Sequence, residues 1–255
     1  MRRLILLLMA MAVTLVVASG VAWAVNKIGT DGPDTLRGTN RADNLLGRGG
    51  NDFLVALNGR DNLVGGPGKD WVVTHPTGFR SGDKNLVGGP GNDGIEGGLG
   101  SDNALGGTGN DFVHGDKGSD RLTGEEGRDL IQGWTGSDRM VGGEGGDVLI
   151  DGALDESSKN DVLSGGDGND VFFGDNVPAV KDIVSCDGGF DWAVVDRKDV
   201  VGPNCERVRV VHGTEAEVLR QEEAFVASLP RGVREFFDVE NNFEKFFEQL
   251  APFPQ

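Results

Sequence analysis

Apolar and acidic residues recur every nine positions along most of the chain. Read in nines from Gly29, the sequence runs GTDGPDTLR, GTNRADNLL, GRGGNDFLV, ALNGRDNLV and GGPGKDWVV. From Gly88 seven more units follow without interruption: GGPGNDGIE, GGLGSDNAL, GGTGNDFVH, GDKGSDRLT, GEEGRDLIQ, GWTGSDRMV and GGEGGDVLI. Position eight of these units is apolar, position six is Asp, and position four is usually Gly. A repeat of this regularity indicates a solenoid of stacked coils.

Each part of the nine-residue unit has a structural interpretation. The first six positions predict a turn, because Gly tolerates positive φ and lets backbone carbonyls crowd toward a ligand. The last three positions predict a short strand whose middle residue points inward. Two units then form one 18-residue coil, and successive coils stack about 4.8 Å apart as parallel sheets. The predicted fold is an all-β solenoid, a parallel β-roll whose crossovers are right-handed.

Two insertions interrupt the repeat. Residues 74–78 precede the unit FRSGDKNLV, in which Lys84 replaces the Asp of position six. Residues 151–155 precede ESSKNDVLS and GGDGNDVFF, after which the pattern weakens through VPAVKDIVS and CDGGFDWAV. Each insertion breaks the 18-residue spacing. We therefore expect one roll over residues 25–194. It contains two regular blocks, residues 29–73 and 79–173, followed by irregular coils up to residue 194.

The chain is strongly acidic, with 41 Asp and Glu against 24 Lys and Arg and a formal net charge of −17. This charge repels phosphate, so nucleic acid is not an expected partner. It also resists compaction of the chain. One apolar side chain per nine residues is too small a core to offset the ordering of the backbone. A divalent cation between the turns would remove the repulsion and supply the missing free energy.

With Gly, Asp and apolar residues recurring at these positions, the sequence resembles the RTX, or haemolysin-type, calcium-binding repeat family, whose unit is G-G-x-G-x-D-x-U-x. The resemblance covers about Gly29 to Val194. It implies calcium as the ligand, held by two units that are two repeats apart. The earlier unit supplies carbonyls at positions two and four and a carboxylate at position six. The later unit supplies carbonyls at positions one and three and a second carboxylate. Six oxygens in a flexible cage suit calcium better than magnesium.

The resemblance assigns ligands residue by residue. One implied site consists of Gly89, Gly91, Asp93, Gly106, Thr108 and Asp111. The next consists of Gly98, Gly100, Asp102, Gly115, Lys117 and Asp120. The other implied carboxylates are Asp34, Asp43, Asp52, Asp61, Asp70, Asp129, Asp138, Asp147 and Asp170. Lys84 is expected to leave its site empty or incomplete, and Asp151, Asp155 and Glu156 receive no assignment.

Residues 1–24 predict a secretory signal peptide. Arg2 and Arg3 form a positive segment, Leu4 to Ala18 form an apolar run, and Ala22 to Ala24 form an A-x-A cleavage site. The run is short for a membrane span, which needs about 20 residues, so an uncleaved anchor is the less favoured alternative. We expect a bacterial protein secreted by the general route, with no transmembrane span in its mature form.

The end of the chain predicts a cap followed by a tail. Residues 195–212 contain Val-rich, strand-like runs that would cover the last coil. Cys186 and Cys205 are the only cysteines and predict a disulfide in an oxidising compartment.

Residues 213–255 predict an amphipathic helical tail. Thr214 to Glu217 form a capping box, and Val233 to Leu250 carry Phe residues at helical spacing. The tail either packs on the roll or its cap, which we favour, or docks an unknown protein or cell-surface partner or a second copy of the chain.

The sequence contains no familiar catalytic motif. It lacks both H-E-x-x-H and G-x-S-x-G, and its histidines, His75, His114 and His212, are scattered. We therefore predict a non-enzymatic calcium-binding module that acts outside the cell in a structural or interaction role. The alternatives are a small secreted hydrolase that uses carboxylates on the roll surface and a surface- or ice-binding solenoid. No regular Thr ladder supports the solenoid alternative.

Overall fold

The computed structural model describes residues 24–74, 84–151, 159–174, 176, 178–212, 215–229 and 231. The described chain winds as a parallel β-solenoid with two long sheets, one of 11 and one of 10 strands. Successive strands alternate between the sheets, as expected if two nine-residue units make one coil. The β-roll predicted from the repeat is confirmed.

The first sheet contains, in spatial order, β1 (Asn26–Ile28), β3 (Asn44–Leu46), β5 (Asn62–Val64), β7 (Asn85–Pro90), β9 (Asn103–Thr108), β12 (Arg121–Glu126), β15 (Arg139–Glu144), β17 (Val162–Gly168), β19 (Ile183–Ser185) and β22 (Val200–Val201), with β20 (Gly188–Gly189) paired to β17. The second contains β2 (Thr35–Arg37), β4 (Phe53–Ala56), β6 (Trp71–Thr74), β8 (Gly94–Glu96), β10 (Phe112–His114), β13 (Leu130–Gln132), β16 (Val148–Ile150), β18 (Val171–Gly174), β21 (Trp192–Val195) and β23 (Arg207–Val210). Two short strands, β11 (Lys117–Gly118) and β14 (Thr135–Gly136), pair separately.

Several strands of the first sheet are longer than the three residues predicted. The strand β12 has six residues because the turns of adjacent coils also bond to each other. Gly91 N donates to the Thr108 carbonyl at 2.8 Å, and Lys117 N donates to the Gly98 carbonyl at 3.0 Å. The turns are therefore stacked as tightly as the strands.

The pairing register follows the repeat. Leu122 lies beside Met140, which is 18 residues later, and Met140 lies beside Leu163, across the second insertion. The insertions lengthen the sequence spacing, yet the stacked positions on either side of them keep the register of the repeat. Thr74 still pairs with Ala56 as a first position of a turn, and residues 75–83 and 152–158 lie outside the described part.

The core consists of the inward-facing position-eight side chains of the two sheets, as the repeat predicted. These side chains are buried and form one continuous cluster: Leu45, Leu54, Leu63, Val72, Leu86, Ile95, Ala104, Val113, Leu122, Ile131, Met140, Leu149, Leu163, Phe172, Val184 and Ala193.

A second apolar cluster lies on the outer face of the second sheet. It includes Phe112 and Leu130 at position seven, together with Val218, Phe225 and Leu229 near the end of the chain. Val218 and Phe225 belong to the helix α1 (Glu215–Val226), and the Phe225 ring meets Phe173 edge-on at 6.2 Å. This part of the tail packs against the roll. The Phe-rich residues 233–250 lie outside the described part of the chain.

The last coils are closed by the predicted disulfide. Cys186 and Cys205 are bonded, with 5.2 Å between their Cα atoms, and Cys186 is buried in the core cluster. The strands β22 and β23 extend both sheets past the nine-residue pattern. Among the described residues, no helix is long and apolar enough to cross a membrane.

Position two of the turn has a positive φ in most of the described coils, whether Gly or another residue occupies it. Gly89 and Gly107 have φ of 120° and 126°. Five residues with side chains share a positive φ between 62° and 85°: Arg48, Asp116, Glu125, Trp134 and Asp187. A side chain at such a φ costs roughly 1–2 kcal/mol, and Gly avoids this cost.

Glu125 tests this geometry because its side chain is exposed. Glu125→Gly should raise the free energy of unfolding by about 1 kcal/mol relative to Glu125→Gln, since both variants remove the charge and only Gly relieves φ. Urea unfolding in millimolar calcium measures the difference. A Gln variant as stable as the Gly variant would contradict the strained turn.

Candidate metal centres between the coils

The position-six aspartates form two buried columns. In each column the backbone N–H of one residue donates to Oδ1 of the Asp in the next coil, for example from Asp93 to Asp111 at 2.8 Å and from Asp102 to Asp120 at 2.7 Å. The first column contains Asp34, Asp52, Asp70, Asp93, Asp111, Asp129, Asp147, Asp170 and Asp191. The second contains Asp43, Asp61, Lys84, Asp102, Asp120, Asp138, Asp161 and Asp182.

The other carboxylate oxygen, Oδ2, is left over on most of these aspartates. It is buried and accepts no hydrogen bond in Asp52, Asp61, Asp70, Asp93, Asp111, Asp120, Asp129, Asp138, Asp147, Asp170, Asp182 and Asp191. A buried anionic oxygen without a partner is costly, and in native proteins it calls for a positive ligand. The repetition of this feature from coil to coil gives a column of such positions on each side of the roll.

Backbone carbonyls converge on the same gap between coils. A Cβ built on Gly88 would lie 2.5 Å from Asp93 Oδ2 and 2.7 Å from the carbonyl oxygen of Gly106 in the next coil. One built on Gly106 would lie 2.5 Å from Asp111 Oδ2 and 2.8 Å from the Gly124 carbonyl oxygen. Only Gly fits where these oxygens approach so closely.

Carbonyls of the earlier coil point into the gap from the other side. A Cβ on Gly107 or Gly109 would collide with the carbonyl oxygens of Gly89 and Gly91, respectively. The ligands implied for the site of Asp93 and Asp111 therefore lie on facing coils. The Thr108 and Lys117 carbonyls each accept a backbone hydrogen bond at 2.8 Å, which leaves one lone pair on each. This set of carboxylate and carbonyl oxygens fits a hard cation of calcium's type.

Burial raises the pKa of the column carboxylates. The pKa of Asp93 and Asp120 rises to about 8, and that of Asp111 and Asp129 to about 7. The backbone N–H on Oδ1 lowers each pKa and nearby carboxylates raise it, but burial has the largest effect. Surrounded only by protein groups, the columns therefore bind protons near neutral pH.

Lys84 occupies a column position with a fully buried side chain, 1% exposed. Its Nζ lies 2.9 Å from Thr74 Oγ1, 3.1 Å from the Gly97 carbonyl and 3.4 Å from the Leu99 carbonyl. It is 3.9 Å from Asp102 Oδ1. The sequence predicted an empty or incomplete site here, and the structure places an amino group among its oxygens.

Asp151 is a site residue that the repeat did not reveal. It takes position one of its turn, where most coils have Gly, and its carbonyl accepts from Trp134 N at 2.7 Å. Its carboxylate, with those of Asp161 and Asp182, forms a buried cluster whose oxygens lie within 4.8 Å of one another. Burial and the two neighbouring carboxylates raise the pKa of Asp151 well above its usual value. The sequence feature that could have indicated this site residue is the acidic residue that replaces Gly at position one.

Two further residues extend the columns into the cap. Asp182 N donates to Asp199 Oδ1 at 2.9 Å, and Asp191 N donates to Glu206 Oε2 at 2.9 Å. Their separations of 17 and 15 residues depart from the repeat. Periodicity alone therefore missed them.

A parallel roll with two columns of buried carboxylates and facing carbonyls defines a calcium-type β-roll. The sequence profile of the RTX calcium-binding nonapeptide repeat (4 copies) matches residues 28–63, 46–74, 81–113, 114–149 and 157–176. These matches cover more than half of the chain, which belongs to this family of calcium-binding repeats. A comparison with curated proteins finds no match.

The raised carboxyl pKa values predict how pH affects the calcium-free roll. Folded carboxyls with a pKa of about 7 or 8 bind more protons at neutral pH than the unfolded chain, whose Asp residues titrate near 3.8. The stability due to this proton uptake is fully present below pH of about 4 and is lost as pH rises through about 7 to 8. In excess chelator, the melting temperature should therefore fall as pH rises from 5, and little of the roll should remain folded at pH 8.

A pair of variants separates this effect from net charge. Asp93→Asn removes one titrating column group and should make the melting temperature less dependent on pH. Asp31→Asn removes an exposed carboxylate and should leave the pH dependence as it is. Circular dichroism melts at several pH values measure both, and a melting temperature that rises with pH in chelator argues against the assignment.

Proposed function

We propose that this protein is a secreted calcium-ion-binding repeat protein that folds on calcium and acts as an extracellular structural or interaction module. The observation that carries the proposal is the series of buried, unpartnered Oδ2 atoms facing carbonyl oxygens of the next coil. Calcium bound there would give each Oδ2 its missing partner. It would also neutralise like charges that the fold stacks one above another.

The proposed ligands follow the geometry of facing turns. One ion is held by Gly89, Gly91, Asp93, Gly106, Thr108 and Asp111. The next is held by Gly98, Gly100, Asp102, Gly115, Lys117 and Asp120. Lys117, like the Gly and Thr residues, contributes its carbonyl and not its side chain. The pairs further along each column repeat the arrangement.

Secretion is supported by two independent features. Residues 1–24 have the composition of a signal peptide. Cys186 and Cys205 form a disulfide, which persists in oxidising compartments and is rare in the cytosol. Extracellular calcium is also abundant enough for sites of modest affinity, about 10⁻⁴–10⁻³ M for extracellular modules.

A non-enzymatic role is supported by where the carboxylates lie. Among the described residues, the column aspartates after Asp34 are buried, with 3% exposure or less. They face the adjacent coil, so an external substrate does not reach them. A hydrolase that uses two carboxylates needs both to contact the substrate.

Calcium binding tests the proposal directly. Isothermal titration of the purified protein should show several ions bound cooperatively. Asp120→Asn should raise the calcium midpoint several-fold and lower the stoichiometry, because Asp120 belongs to the sites with both Asp102 and Asp138. Asn keeps the shape of the side chain and an oxygen for the hydrogen bond.

Asp31→Asn is the matched control, because Asp31 is exposed and outside both columns. It should bind calcium like the unaltered protein. Equal binding by the Asp120→Asn and Asp31→Asn variants, or no binding by the unaltered protein, would overturn the proposed function.

A further inference from the structure

Lys84 lies at the junction between the two blocks of the roll. In its column it follows Asp61 and precedes Asp102: Asn85 N donates to the Asp61 carbonyl, and Lys84 N donates to Asp102 Oδ1 at 3.2 Å. A lysine buried to 1% exposure is rare unless its ammonium is paired. The groups around its side chain are therefore expected to pair with the ammonium.

The Nζ of Lys84 contacts oxygens at the positions that the proposed function assigns to calcium elsewhere in the roll. Gly97, Leu99 and Asp102 occupy positions one, three and six of their unit, and Nζ lies near an oxygen of each. In the neighbouring proposed site, the residues at these three positions are Gly106, Thr108 and Asp111. The amino group thus faces the later half of a calcium ligand set.

The contacts favour the charged form of the lysine. The Thr74 hydroxyl donates its hydrogen to the Gly97 carbonyl, so Oγ1 presents a lone pair to Nζ. The carbonyls of Gly97 and Leu99 and the Asp102 carboxylate are also acceptors. Four acceptors around one nitrogen suit an ammonium with three N–H donors, whereas a neutral amine would point a lone pair at one of them.

The charge balance matches a divalent ion. Replacing Asp by Lys changes the charge of the column by two positive units, which is the charge of one calcium ion. The ammonium is paired with Asp102 in the next coil. At the position of Lys84, the column therefore lacks the repulsion between like charges that exists between the aspartates of its other neighbouring coils.

We propose that the Lys84 ammonium is a built-in cation that replaces calcium at this junction. The coils that carry Asp61, Lys84 and Asp102 then remain folded when calcium is removed. In a solenoid each coil is stabilised by its neighbours, so a folded coil lowers the cost of adding the next. The junction is thus a seed from which both blocks extend as calcium binds. The comparison with an ion rests on the function proposed above.

Hydrogen exchange of the purified full chain in excess chelator tests the proposal. Amides of residues 84–105 should exchange at least tenfold more slowly than those of residues 121–141 in the second block. Lys84→Met should abolish this protection. Lys181→Met, which removes an exposed lysine side chain outside the proposed ligand sets, should retain it. Equal exchange along the unaltered chain, or a Lys84→Met variant as protected as the Lys181→Met variant, overturns the proposal.

Lys84→Asp keeps the test decisive if Lys84→Met unfolds the protein. This change restores the repeat, so protection at the junction should vanish in chelator and return with calcium, with at least one more ion bound per chain. A Lys84→Asp variant that calcium does not restore contradicts the equivalence of lysine and ion. Failure of the unaltered protein to bind calcium is a separate result: it rejects the proposed function and leaves the junction protection measurable.

Discussion

The stacking of buried aspartates is the constraint on which the rest of this structure depends. Each coil places a carboxylate beneath that of the next, and one backbone N–H on Oδ1 compensates only half of the group. A column of such groups in a site of low dielectric cannot stay both charged and folded without positive charge between the coils. Protons, a metal ion and the Lys84 ammonium are three ways to supply that charge.

The remaining features of the roll serve this arrangement. Gly at positions one, two and four lets facing turns approach until their carbonyls line the gap between coils, as at Gly88 and Gly109. The apolar core is one side chain deep, so packing alone holds the sheets weakly. The disulfide and α1 add stabilising contacts at the far end, where the repeat has already faded. The proposed function therefore makes folding and ion binding one process over most of the chain.

The sequence predicted most of the fold because each position of the nine-residue repeat has one structural role. Leu122 and Val113 at position eight lie in the core, and Asp93 and Asp111 at position six lie one above the other. Sequence reasoning missed features that depend on contacts across a coil. Asp151 lies at the start of an insertion that interrupts the repeat, and Asp199 and Glu206 extend the columns at irregular spacing. The sequence predicted an incomplete site at Lys84 because it shows that a lysine replaces the aspartate. It does not show that the lysine side chain points toward the oxygens of that site.

The most direct test of this account is far-UV circular dichroism and hydrodynamic radius of the purified protein at pH 8, compared between excess chelator and millimolar calcium. The account predicts an expanded chain in chelator, with little β-structure beyond the coils around Lys84. Calcium should produce a cooperative gain of β-structure and a compact radius. Full β-structure and an unchanged compact radius in excess chelator would contradict the claim that cations between the coils hold this fold together.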